Sequence, residues 1–338
     1  MKYPSPRQIT ENNVEYNNTK GLVSVEGLYM PELPEVEYTA RQLRATIVGA
    51  TITEALVFWE RTISHPELRD FLAEIAERQI IGVRRRGKFL LLDLSGNLFL
   101  SIHRRMTGNL LLLPLGWEID TSLRETNPAA WSTKGPTLRN QGHAQCSPDS
   151  SECSYCRVCF NLVDGRRLLF TDPRKFGRIE LWPCEREEEA LAGLGPEPLS
   201  DEFTVEGLAE ALVGRKGAIK QMLLAQEVVA GLGNIYADEA LFYAAIHPLR
   251  RADSLTSAEV KALHEGIVSV LTLGIEHGGT SFNDYRDLWG EAGENYDHVR
   301  VYQQDGKPCV RCGTPIERIV IAQRGTHFCP GCQKLTAE

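Results

Sequence analysis

Apolar positions along the chain change their period twice. After a polar opening segment, Val36, Ala40, Leu43 and Ile47 recur at intervals of three and four, the spacing that lines side chains along one face of a helix. Pro34 is expected at the first position of that helix, with Glu35 and Glu37 in the first turn, where a missing N–H is harmless and the helix dipole favours negative charge. Over residues 51–113 and 158–182 the pattern becomes short runs of Val, Ile, Leu and Phe broken by turn signals such as Ser95-Gly96-Asn97 and Asp164-Gly165. These runs predict a mostly antiparallel sheet, interrupted by a helix near 67–76. Beyond Gly193-Leu194-Gly195-Pro196-Glu197-Pro198 the helical period returns over 205–212, 219–226, 236–245 and 257–274.

The expected fold is therefore α+β: an N-terminal two-layer antiparallel β-sandwich with flanking helices at 30–183, a linker at 184–200, a helical domain at 201–297 and a cysteine-rich hairpin at 298–338. The 338 residues suffice for two domains and a small appendage. Residues 1–29 read as a polar extension; with Asn12, Asn13, Asn17 and Asn18 and no cationic start or apolar centre, they do not resemble a secretory signal. The polar stretch 114–152 has little periodicity and is too long for an ordinary loop, which predicts a mobile insertion. Purely apolar runs at 89–92 and 110–113 are strand-sized, far below the ~18 residues of a membrane span. No membrane partner and a cytoplasmic location are expected.

A formal net charge of −8 argues against a generic nucleic-acid binder. Its distribution changes that picture. Cations cluster at Arg84, Arg85, Arg86 and Lys88, at Arg104 and Arg105, and at Arg174, Lys175 and Arg178, while acids gather at 185–189. Beside turn glycines such clusters either form solvated faces or line a phosphate track. Nine cysteines are present, and Cys309-Val310-Arg311-Cys312 and Cys329-Pro330-Gly331-Cys332 stand 16 residues apart, the spacing of a four-cysteine zinc ribbon. Four sulfurs leave no open position, so one structural zinc ion is expected. Cys146, Cys153, Cys156 and Cys159 make a weaker case, since Cys156 and Cys159 at an odd offset on a strand would point to opposite faces.

Met30-Pro31-Glu32-Leu33-Pro34-Glu35-Val36-Glu37 resembles the opening of the formamidopyrimidine-DNA glycosylases, and the likeness continues to about Lys334. In that family the initiator methionine is removed and the secondary amine of the exposed proline attacks the deoxyribose C1′. An α-amino group has a pKa of ~8, so part of it is neutral and nucleophilic near pH 7. The resemblance makes Pro31 the nucleophile, Glu32 the acid/base, Glu35 its support, and Lys88 in Arg86-Gly87-Lys88-Phe89-Leu90 a contact to the DNA backbone. A helix start alone explains Pro34 and Glu35 but not the Met-Pro-Glu before them.

His103 and Met106, in His103-Arg104-Arg105-Met106-Thr107-Gly108, match a phosphate-contacting histidine and the side chain that fills the hole left by a flipped nucleotide. The family usually has Leu-Gly where Arg104-Arg105 stands, and these cations are expected to strengthen backbone contact or alter the approach of Met106. In Thr171-Asp172-Pro173-Arg174-Lys175-Phe176-Gly177 the resemblance assigns Arg174 to the orphaned base, Phe176 to a wedge and Lys175 to a phosphate. Gly231-Leu232-Gly233-Asn234-Ile235 resembles a helix-two-turn-helix, with Asn234 receiving phosphate, and Arg324 occupies the phosphate-contacting position of the zinc hairpin. A damaged-base loop is expected within 278–302, where Tyr296-Asp297-His298 replaces the usual Phe-Gln.

The resemblance implies a monomeric, bifunctional glycosylase and AP lyase that removes oxidised purines from double-stranded DNA and cleaves the strand by β,δ-elimination. Leu33-Pro34 favours that branch over oxidised-pyrimidine enzymes of the endonuclease VIII type. A non-catalytic damage-binding protein is the alternative from another class. While bonded to Met30, the Pro31 nitrogen is an amide without a free lone pair, so the active chain is expected to start at Pro31, with translation beginning at Met30.

Overall fold

The computed structural model describes residues 30–120, 137–140, 155–282 and 284–335; the extension 1–29, much of the expected insertion, and Cys146 and Cys153 lie outside them. In chain order the sheet half comprises α1 (Leu33–Thr46), β1 (Thr51–Val57), β2 (Ile63–His65), α2 (Leu68–Ile75), β3 (Arg78–Arg86), β4 (Phe89–Leu94), β5 (Leu98–His103), β6 (Asn109–Leu113), β7 (Trp117–Asp120), β8 (Thr137–Asn140), β9 (Cys156–Leu162), β10 (Arg167–Thr171) and β11 (Arg178–Pro183). Nine of these strands form one sheet in the order β2-β11-β5-β4-β3-β1-β9-β10-β6. All neighbours are antiparallel except the edge pair β2 and β11, which is parallel.

Strand β1 is the fold line. It meets β3 only at Thr51 and Ile52 but follows β9 from Ile52 to Val57, so the sheet turns back on itself there. Alternation then sends Leu90, Leu92 and Leu94 of β4 and Leu100 and Ile102 of β5 into the same core as Val158 and Phe160 of β9 and Leu168 and Phe170 of β10. The α1 stripe of Val36, Ala40, Leu43 and Ile47 joins them, each 1% exposed or less. Helix α1 begins at Leu33, one residue earlier than expected, which makes Pro34 its second residue and Glu32 its N-cap.

Within the stretch expected as a mobile insertion, β7 pairs antiparallel with β8, and Trp117 is buried. One expectation for this half is corrected. Cys156 and Cys159 face the same small core, with Leu111, Leu113, Trp117 and Leu169, because the register of β9 against β10 shifts between Val158 and Cys156. An extra residue in a strand reverses the facing of everything beyond it.

The second half contains α3 (Val205–Leu212), α4 (Ile219–Leu224), α5 (Asn234–Tyr243), α6 (Ser257–Glu276) and the hairpin β12 (Glu317–Ile321) and β13 (Arg324–Phe328). Helix α6 opens with Thr256 accepting from the Glu259 N–H and Glu259 accepting from the Thr256 N–H, two orphan donors satisfied reciprocally. The halves exchange core residues: Leu33 of α1 is buried in the helical core, and Leu288, from beyond α6, is buried in the sheet core. Among the described residues no helix is long and apolar enough to cross a membrane.

Candidate active site and DNA interface

The start of α1 is clamped against the start of α5. One Glu32 carboxylate oxygen accepts from the Ile235 N–H at 2.9 Å and the other from the Tyr236 N–H at 3.4 Å, the free donors of a helix N-terminus. Leu33 N–H donates to Gly231 O at 3.0 Å. Both flanking glycines are required: Gly231 has φ +83°, and a Cβ on Gly233 would lie 2.3 Å from the Glu32 carboxyl carbon. Behind Glu32, Glu35 accepts from the Glu32 N–H at 2.8 Å, the Tyr236 hydroxyl at 2.8 Å and the Thr280 N–H at 2.7 Å. Burial raises both carboxyls. For Glu32 the desolvation outweighs the lowering by Lys88 and leaves the group at about 7; Glu35 is also raised.

Glu32, Lys88, His103, Asn234 and Arg324 line one cavity of about 220 Å³ between the halves, together with Met30. Pro31, between Met30 and Glu32, is buried. Lys88 follows the Gly87 turn and is half-buried; desolvation pulls its ammonium below the usual range against the pull of Glu32. The imidazole of His103 packs edge-on against Phe89, and its Nδ1 accepts from the Arg105 N–H at 3.0 Å. Burial, with Arg105 and Lys88 nearby, pushes it down to about 3, so it is neutral at physiological pH with its proton on Nε2. Asn234 donates through Nδ2 to Gly325 O at 3.0 Å and the Tyr302 hydroxyl at 3.2 Å. Its buried Oδ1 has no hydrogen-bond partner among the described residues.

Exposed Arg174 and Phe176 form a second cluster with the half-buried Met106. The Arg174 guanidinium lies 3.7 Å from the Met106 sulfur and 5.1 Å from the centre of the Phe176 ring, and Phe176 is 42% exposed. Asp172, quoted in the sequence motif but given no role, organises this end. Its carboxylate accepts from the Thr107 hydroxyl, the Gly177 N–H at 2.7 Å and the Arg174 N–H at 3.2 Å, joining the Met106 turn to the Arg174 loop. An acid between a threonine and a proline carries the ordinary signal of a turn-former. Lys175 diverges from its neighbours, its ammonium 4.0 Å from the centre of the Trp59 ring.

The first basic cluster is not a phosphate track. Arg84 pairs with Asp93 and Glu187, Arg85 with Glu37 and Glu197, and Arg86 with Glu197; these arginines tie the sheet to the 184–200 segment, and Lys88 alone of that run lines the cavity. Arg104 is likewise not an added surface cation: it is 1% exposed and its guanidinium donates only to groups inside the fold, whereas the next residue, Arg105, has φ +55° and is exposed.

The zinc hairpin shares buried polar anchors with the helical core. Lys220 and Asp238, both fully buried, pair at 2.6 Å, and Asp238 also accepts from the His327 N–H at 2.9 Å. Glu239 accepts from the N–H groups of Arg300, Val301 and Tyr302, each at 2.9 Å. Neither acid stood out in sequence, since each reads as an ordinary helical residue. At the hairpin base the sulfurs of Cys309, Cys312, Cys329 and Cys332 lie within 4.8 Å of one another, with contacts of 3.4, 3.5 and 3.9 Å. A disulfide needs ~2.05 Å; four sulfurs ~2.3 Å from a tetrahedral zinc stand ~3.8 Å apart. The donor set fits one structural zinc ion, and Arg324 opens the strand beyond the Ala322-Gln323 turn, exposed toward the cavity.

Known proteins match this arrangement segment by segment. Residues 30–179 match the formamidopyrimidine-DNA glycosylase N-terminal domain, 194–286 the formamidopyrimidine-DNA glycosylase H2TH domain, and 306–335 the zinc finger found in FPG and IleRS. Formamidopyrimidine-DNA glycosylases from Roseiflexus sp. and Symbiobacterium thermophilum are 43% and 44% identical over 90% of this chain and 100% and 89% of their own lengths. Among solved structures, a Lactococcus lactis FPG mutant with DNA containing Fapy-dG superposes with a TM-score of 0.75 at 32% identity, over 90% of this chain and all of that one. The wild-type L. lactis protein with DNA containing an oxidised pyrimidine gives 0.74 at 31% over the same shares.

Proposed function

Because the chain belongs to the formamidopyrimidine-DNA glycosylase family and is a DNA glycosylase acting on damaged DNA, we propose that it excises oxidised purines from duplex DNA through the amine of Pro31 and then cleaves the strand. The observation that carries this reading is the Glu32 carboxyl, held at about 7 beside Pro31 in the cavity that also holds Lys88, His103, Asn234 and Arg324. With Pro31 at the chain start, its lone pair forms a bond to C1′, the glycosidic bond breaks, and the base leaves with the electron pair. Loss of the amine proton leaves a neutral aminal; the C1′–O4′ bond then breaks as the ring oxygen takes up a proton, and the nitrogen lone pair forms the iminium. A carboxyl near 7 is populated both as acid and as base at neutral pH, so Glu32 can protonate the ring oxygen and later accept a proton during β,δ-elimination.

The remaining residues position the strand. Lys88 and Arg324 offer charge to phosphates, the neutral His103 an Nε2–H, and the α5 N-terminus with Asn234 further donors. Met106 and Phe176 fill and wedge the opened stack, and Arg174 reads the orphaned base. Residues 278–302 enclose the flipped lesion. A lesion panel must include oxidised pyrimidines, since the L. lactis relative was solved with DNA carrying one.

Borohydride trapping tests the nucleophile. A protein beginning at Pro31 is expected to cross-link to a duplex containing 8-oxoguanine, and a chain shown by mass spectrometry to retain residues 1–30 to bind without cross-linking. Full trapping by the longer chain would overturn the assignment and direct attention to Lys88.

A further inference from the structure

Arg104 is a buried guanidinium whose hydrogen-bond acceptors are all neutral. Its Nε donates to Gly108 O at 2.8 Å, Nη1 to the Thr39 hydroxyl at 3.0 Å, and Nη2 to the Asn109 side-chain oxygen and to Arg286 O at 3.1 Å. The guanidinium carbon lies 5.1 Å from the centre of the Tyr285 ring. An unpaired charge is costly to bury, and these contacts join parts of the chain that are far apart in sequence. Gly108 closes the turn that carries Met106, whereas Tyr285 and Arg286 belong to the segment following α6. Asn109 completes the connection: its amide donates to Asp284 O at 2.7 Å, and its oxygen accepts from the Arg286 N–H at 3.1 Å.

We propose that Arg104, with Asn109, is a positioning residue that fastens the base loop at 284–286 to the turn carrying Met106, so that filling the duplex and enclosing the extruded base are coupled. This rests on the functional reading above, in which Met106 fills the void and 278–302 encloses the lesion. Thr39 extends the linkage, since its hydroxyl donates to Glu35 O at 2.9 Å. The Met106 turn keeps its own closing bond, from the Gly108 N–H to Arg104 O at 3.0 Å, whatever the side chain at 104. Loss of the guanidinium therefore removes one of the two side chains that fasten the base loop to this turn, loosening the loop while leaving the turn closed.

The experiment compares release of 8-oxoguanine from a duplex with cleavage of a preformed abasic site, which has no base for the loop to hold. Parent protein, Arg104→Leu, Arg104→Lys and Asn109→Ala are measured zinc-loaded and with the same N-terminus. Arg104→Leu and Asn109→Ala are expected to slow base release by roughly tenfold or more and to leave abasic-site cleavage within about twofold. Arg104→Lys, which keeps the charge but loses the planar fork, is expected to behave like the leucine variant. Equal loss of both activities in Asn109→Ala would mean a structural role only, and unchanged base release in either Arg104→Leu or Asn109→Ala, or rescue by Arg104→Lys, would equally overturn the proposal. A parent that releases no base from any lesion duplex would instead refute the functional reading.

Discussion

The two ends of the cleft are built on opposite principles. At the Glu32 end the carboxyls of Glu32 and Glu35 are buried and bonded before any substrate arrives, and burial has moved Glu32, Lys88 and His103 away from their ordinary protonation ranges. At the other end Arg174 and Phe176 are exposed, Met106 is half-buried and the three touch one another only loosely, while the rigidity lies one layer back in Asp172. Chemistry depends on protonation state, which needs a dry and fixed environment. Insertion into DNA needs surfaces that gain their partners only in the complex. Substitutions at the first end should therefore change rates and pH dependence, and those at the second should change affinity and selectivity.

The largest expected effect is at Glu32. Glu32→Gln is expected to lower base excision by on the order of 10²–10⁴ with duplex binding retained, measured by single-turnover kinetics beside a binding titration. The same variant reports on stability. Because the folded carboxyl, at about 7, holds its proton more tightly than the ordinary 4.5, its contribution to stability is full below pH 4.5 and is lost as pH rises through about 7. That loss is on the order of 3 kcal/mol. Thermal melts of the parent should fall over this window more than those of Glu32→Gln; parallel curves would show that Glu32 is not held near 7.

Zinc removal comes next, because it strikes the mount of Arg324 without touching the acid. Cys329→Ser is expected to lose stoichiometric metal and to weaken duplex binding by roughly 10–100-fold; unchanged metal content and affinity would break the link. The smallest effects divide the exposed end. Arg174→Ala should erode discrimination among opposite bases by ~1–3 kcal/mol, whereas Lys175→Ala should weaken all duplexes alike and reduce the salt slope by about one. Equal loss of preference in both would refute the division.

Features coded locally were legible in the sequence. The α1 stripe, the Cys-x-x-Cys pairs and the Gly231-Leu232-Gly233-Asn234 turn each need only neighbours within a few residues, and they stand where their spacing placed them. Long-range partners were not legible. Arg84, Arg85 and Arg86 look like a phosphate track until Asp93, Glu187 and Glu197 arrive from elsewhere in the chain. Arg104 looks like an exposed cation, though it is buried against Tyr285, a residue far along the chain. The facing of Cys156 depends on one shifted residue in β9, which no periodicity reports. Asp172 has the composition of a turn and the role of a brace, and only the positions of Thr107 and Gly177 distinguish the two.

The exchange of Leu33 and Leu288 bears on how this protein could be cut and recombined. Residues 184–200 join the two halves and invite division of the chain there, but each half carries a side chain that belongs in the other half's interior. Fully burying a leucine contributes ~1.5–3 kcal/mol, so a fragment ending at 183 retains an open socket for Leu288, and one starting at 201 retains an open socket for Leu33. Chimaeras made from relatives at that junction would mate each plug with a socket shaped for a different one. In such hybrids, the identities of positions 33 and 288 should follow the half that receives them, not the half that encodes them.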